Sequence, residues 1–109
     1  MKTLQNDLTT IEQSKRLLEL GVPKNSANHY YGKDGKLHYI DGTIPYSLLL
    51  ATGCTPCWSV GRLIEIFSKC YTGAKCYYSP RNLYKTEFWI ERFERLSKIG
   101  FMDFSKLEE

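Results

Sequence analysis

The sequence predicts an α+β fold, with three helices packed on a small, mainly antiparallel sheet that contains a β-hairpin. Three observations lead there. Apolar residues recur at helical spacing in three separate stretches, and an aromatic-rich stretch between the first two is broken by Asp34-Gly35, a pair suited to a tight hairpin turn. A chain of 109 residues is also the size of one domain with one core. Eight Tyr, five Phe and two Trp supply enough apolar surface to offset the entropy of ordering the chain, so fraying is expected only at residues 1–8 and 105–109.

The first helix is marked by Thr10 and Gln13, which match a capping box, by the stripe Ile11, Leu17 and Leu18, and by Gly21 then Pro23 as a stop. Glu12 and Arg16 stand four apart and are expected to pair on its solvent side. From His29 to Ile40 the pattern becomes that of the hairpin. A two-residue type I′ turn at Asp34-Gly35 would set Tyr30 opposite Tyr39 and Tyr31 opposite His38. Tyr46 to Ala51 reads as either a strand or a short helix, with the strand preferred.

Thr55-Pro56 resembles an N-cap followed by proline at the first helical position, and Val60, Leu63, Ile64 and Phe67 continue at helical spacing. A second helix from Pro56 to Cys70 follows from that. Ala74 to Ser79 reads as a strand and Ser79 to Asn82 as a turn. The third helix starts near Thr86, carries Trp89, Phe93 and Leu96 on one face, and ends at Gly100. Glu91 with Arg95 and Glu94 with Lys98 are expected as pairs on its other face. The tail after Gly100 is expected to dock through Phe101 and Phe104.

The formal net charge of +3 permits an acidic partner without requiring one. Lys2 leads into Thr3, Gln5, Asn6 and Asp7 rather than into an apolar run, and Leu48 to Ala51 is far too short to span a bilayer. The expectation is a cytoplasmic protein with no membrane association, whose four cysteines are mostly reduced.

Four groups of residues invite chemistry. Cys54-Thr55-Pro56-Cys57 would place a thiol at a helix N-terminus, where the helix dipole and unpaired N–H groups stabilise a thiolate, as in thiol oxidoreductases. The chain upstream offers a hairpin rather than a βαβ unit, so a structural role is preferred. Cys54, Cys57, Cys70 and Cys76 also read as zinc ligands, but a helix from Cys57 to Cys70 would hold those two about 20 Å apart. His29 and His38 would share one face of the hairpin as diagonal neighbours, too few for a metal site. No cofactor is expected.

The fourth group lies between Ile66 and Thr86, which hold Lys69, Lys75, Arg81 and Lys85 among Tyr71, Tyr77, Tyr78 and Tyr84, with no acidic residue. Cations that follow phosphates and rings that stack on bases serve single-stranded nucleic acid binding. Tyrosines packed on a half-buried strand with solvated lysines at its edge explain the same pattern, and that reading is preferred. Phosphate loops, HExxH motifs and nucleophile elbows are absent. A non-enzymatic protein that binds another protein or itself is the leading expectation. Nucleic acid binding comes second and thiol redox chemistry third.

Glu12 to Pro23, EQSKRLLELGVP, and Pro56 to Ile66, PCWSVGRLIEI, together resemble small uncharacterised proteins of Bacteroidales phages, prophages and mobile elements. The helix ending in Gly100-Phe101 is a looser echo of such proteins, and Leu48 to Cys54 departs from the likeness. That family has no established activity. The resemblance therefore implies an accessory role in mobile DNA and assigns no site residues.

Overall fold

A computed structural model describes residues 8–39, 53–73 and 85–108. In chain order these form α1 (Ile11–Leu20), β1 (His29–Tyr31), β2 (Leu37–Tyr39), β3 (Thr55–Cys57), α2 (Val60–Cys70) and α3 (Thr86–Lys98), with 3-10 turns at Lys24–Ser26 and Phe104–Glu108. The strands make an antiparallel sheet in the order β2-β1-β3, which with the three helices is the expected α+β architecture. The strand expected from Ala74 to Ser79, the turn after it and the segment Tyr46 to Ala51 fall outside the described residues.

The capping box forms as expected. Thr10 Oγ1 accepts from the Gln13 amide at 3.1 Å, and Gln13 Oε1 accepts from the Thr10 amide at 3.0 Å. At the other end Gly21 N–H donates to Leu18 and Val22 N–H to Leu17, closing α1 with a left-handed glycine. α3 ends the same way, through Gly100 to Ser97 and Phe101 to Leu96.

The hairpin register is shifted by one residue from the expected one. His29 faces Tyr39, Tyr30 faces His38 and Tyr31 faces Leu37. Gly35 adopts φ 79°, its N–H donates to Gly32 and Gly32 N–H donates to Lys36, so three residues rather than two make the turn. Asp34 secures that wider turn by accepting the Lys36 N–H at 2.9 Å. Because side chains alternate along a strand, the shift sends His29 and His38 to opposite faces.

The start of the second helix is also corrected. Thr55–Cys57 is strand β3, Pro56 lies opposite Tyr30, and α2 begins at Val60 with Ser59 as its cap. Ser59 Oγ accepts from the Arg62 amide at 3.1 Å, while Asn28 brackets Ser59 by accepting its N–H and donating to its hydroxyl. Upstream, Thr9 N–H donates to the Trp58 carbonyl and Trp58 N–H to Thr9 Oγ1. Those partners satisfy an extended backbone through residue 58, overriding the local Thr-Pro signal. Pro56, lacking an N–H, sits in a strand at the sheet's edge among the described residues.

The core lies between the sheet and the three helices. Trp58, Leu17, Leu63, Ile66, Trp89, Ile90 and Phe93 are fully buried, and Phe67 lies against Trp89 at 5.3 Å between ring centres. Leu96 and Ile64 pack at its margin. Phe104 packs against the core with its ring centre 5.9 Å from that of Phe93, as expected of the tail, whereas Phe101 meets Tyr71 edge-on.

One of the expected helix-surface pairs, Glu12 with Arg16, is replaced by tertiary ones. Arg16 reaches from α1 to Glu87 at 2.9 Å and Glu94 at 2.8 Å on α3 instead of pairing with Glu12, and Glu94 is thereby engaged by Arg16. Glu87 and Glu94 are two helical turns apart on one face, a spacing that the forked guanidinium bridges.

Candidate functional site

Cys57 points from β3 into a buried polar knot. Its thiol donates to the Thr9 carbonyl at 3.3 Å, and Thr9 Oγ1 lies 3.5 Å from the sulfur and 2.8 Å from Ser14 Oγ. The Tyr31 hydroxyl donates to the same Thr9 carbonyl at 2.7 Å. Burial raises the Cys57 thiol above its ordinary range, outweighing the hydrogen bonds that would favour a thiolate. Burial, with the Cys57 sulfur beside it, pushes Tyr31 up to about 12. Both groups are therefore protonated at neutral pH and serve as hydrogen-bond partners.

The premise of the redox reading does not hold, because the thiol lies in a strand two residues before the helix cap. Cys54, half-buried, precedes β3, and three residues of extended chain put its Cα about 10 Å from that of Cys57. A disulfide needs Cα atoms within about 7 Å.

Cys70 is buried at the far end of α2, with its thiol raised by burial and by Asp103. The helix alone separates Val60 from Cys70 by about 15 Å. Cys76 is outside the described residues, among which no three His, Cys, Asp or Glu side chains gather as metal ligands do. His29 is half-buried, which lowers its pKa, while His38 is exposed and stacked on Tyr30 at 5.0 Å.

Of the cation and tyrosine group, Lys69 and Lys85 are exposed and lie on different elements, the last turn of α2 and the cap of α3. Tyr71, at the cap that ends α2, is half-buried and stacked on Phe67 at 4.8 Å. Lys75, Tyr77, Tyr78, Arg81 and Tyr84 fall outside the described residues.

No family model, curated protein or solved structure matches the chain. Its own surface is thus the guide to function, and one feature there was missed by sequence reasoning. Ile99 and Phe101, immediately after α3, are 59% and 40% exposed, two large apolar side chains flanking Gly100. The backbone beneath them is tied down: Thr72 N–H donates to the Phe101 carbonyl and Asp103 N–H to the Cys70 carbonyl, both at 2.9 Å.

Proposed function

We propose that the protein is a non-enzymatic interaction module, an accessory protein of a phage or mobile element that acts in the cytoplasm by binding another protein or itself. The observation that carries this reading is the exposed Ile99–Phe101 pair on a hydrogen-bonded backbone, two large apolar side chains that a partner could cover. Two facts support it from the other side. The buried thiols are held protonated, and the ion pairs of Arg16 join helix to helix. The resemblance of the two stretches to proteins of mobile elements supports the accessory role. Among the described residues no helix is long and apolar enough to cross a membrane.

Photo-crosslinking from position 101, with the tagged protein expressed in its native host, tests the reading. A discrete crosslinked product that disappears when Ile99 is replaced by Glu is the expected result. Capture that is the same for the wild type and Ile99→Glu would refute the assignment of this surface.

A further inference from the structure

We propose that Leu8 and Thr9 form a strap that opens without the core and gates access to the Cys57 thiol. The proposal goes beyond the interaction reading and does not depend on it. The two residues precede Thr10, the cap of α1, and run antiparallel to the chain that leaves β3. Leu8 bridges Ser59, and Thr9 N–H donates to the Trp58 carbonyl at 2.9 Å. Thr9 and Cys57 are both fully buried. The Thr9 carbonyl accepts the thiol proton at 3.3 Å and Thr9 Oγ1 stands 3.5 Å from the sulfur, so the strap meets Cys57 with main chain and side chain together.

The bonds that hold the strap differ in kind from those that hold the core. Thr9 also accepts the Tyr31 hydroxyl and the Trp58 N–H, and its own hydroxyl lies 2.8 Å from Ser14 Oγ. These are polar contacts, and water replaces them once the strap lifts. The elements beneath are fastened by other means: α1 by Leu17 in the core and by Arg16 to Glu87 and Glu94, and Trp58 by its indole N–H to Ser26 Oγ at 3.0 Å. Thr10 supplies the pivot, an exposed cap with extended backbone at φ −78° and ψ 173°. Lifting two residues about that point leaves the apolar core closed, so it requires less free energy than global unfolding. In the open form the sulfur loses both Thr9 contacts and meets solvent.

Iodoacetamide labelling of the folded full chain, read at Cys57 by mass spectrometry of the digested protein, tests the gate. The sulfur displaces iodide from the reagent, and the thiol proton passes to the buffer. Labelling of the wild type should be slow, because the open form is scarce, and should change little in urea below the unfolding transition, because opening exposes little surface. Thr9→Val keeps the shape of the side chain and removes the hydroxyl, so it should speed labelling about fivefold or more. Ile90 is fully buried in the core, and Ile90→Val should raise the global unfolding constant about two- to tenfold in urea titrations while leaving the Cys57 rate unchanged. If Thr9→Val does not fold, Ser14→Ala removes one bond to Thr9 from the side of α1 and should speed labelling by a smaller factor.

Cys57 labelling that climbs with urea as steeply as global unfolding, or that quickens in Ile90→Val in step with the lost stability, overturns the strap. Either result means that the thiol is reached only when the whole domain unfolds. A rate unchanged in both Thr9→Val and Ser14→Ala overturns it too, by showing that Thr9 does not control access to the sulfur.

Discussion

Phe93 and Phe101 both follow helical apolar residues near the C-terminal end, yet the structure assigns them opposite roles, and Phe93→Ala tests that assignment. Phe93 is fully buried, parallel to Phe67 at 6.5 Å and edge-on to Phe104 at 5.9 Å. Removing the ring forfeits its transfer free energy, about 2–3 kcal/mol, and adds a cavity that a neighbourhood of rings fills poorly. Two aromatic contacts of about 0.5–1.5 kcal/mol each are also lost in part. The expected cost is about 3–5 kcal/mol, against a total stability of about 5–15 kcal/mol for such a domain. Urea unfolding followed by tryptophan fluorescence suits the measurement, since Trp58 and Trp89 both sit in the core. Phe101→Ala, whose ring is 40% exposed, should cost about 1 kcal/mol or less by the same assay. Equal losses for the two variants, or a Phe93→Ala loss below about 1 kcal/mol, would refute the division between core ring and surface ring.

Other outcomes follow from the same structure. Cys57 should resist iodoacetamide in the native protein up to pH 8 and react on unfolding, because the buried thiol is raised above its ordinary range; titration as a reactive thiolate below about pH 7 would restore the redox reading. Arg16 hydrogen bonds hold Glu94 below its ordinary range, and Gln13 and Arg16 hold Glu87 there against the opposing effect of desolvation, so the stability these carboxylates contribute is present above the unfolded carboxylate range and is lost as pH falls through their lower folded values. Arg16→Met should flatten that acid limb; because the pair is about one-third exposed, the loss at pH 7 should be about 1 kcal/mol, and an unchanged limb would show that the bridge contributes nothing. His29, whose pKa burial lowers, adds a fall in stability in the same direction as pH drops below about 6.5, and His29→Gln should remove that component from an unfolding series. Fluorescence anisotropy with a labelled single strand should show only weak binding at physiological salt; micromolar binding lost on Tyr77→Ala or Tyr78→Ala would favour the nucleic acid reading.

The elements legible in the sequence were those whose signals are local. Thr10 with Gln13, and Gly21 and Gly100 after apolar stripes, specify helix ends through groups at most five residues apart, and the structure places them as read. Misreadings came where distant groups decide. Nothing near Thr55 announces that Thr9, 49 residues before Trp58, will take its backbone N–H, or that Asn28 will bracket Ser59. The hairpin turned on a nearer competition, in which Asp34 serves a three-residue turn as well as a two-residue one. Arg16 chose Glu87 and Glu94 over Glu12 because α3 packs beside α1, a fact of topology rather than spacing. The exposure of Phe101 was hardest to see, since exposed and buried phenylalanines have the same letter.

Thr9 joins several of these strands of reasoning. Its carbonyl accepts from Tyr31 on β1 and from Cys57 on β3, its N–H and hydroxyl meet Trp58, and its hydroxyl also lies beside Ser14 on α1. A reactive Cys57 would have to give up the proton that it now donates to the Thr9 carbonyl, and a thiolate there would lack a cation among its bonded partners. The arrangement that fixes the N-terminal segment, the hairpin and the entry to α2 therefore opposes the chemistry that Cys54 and Cys57 suggest in sequence. On the surface, among the described residues, Ile99 and Phe101 are the two large apolar side chains left exposed close together in the chain, on either side of Gly100.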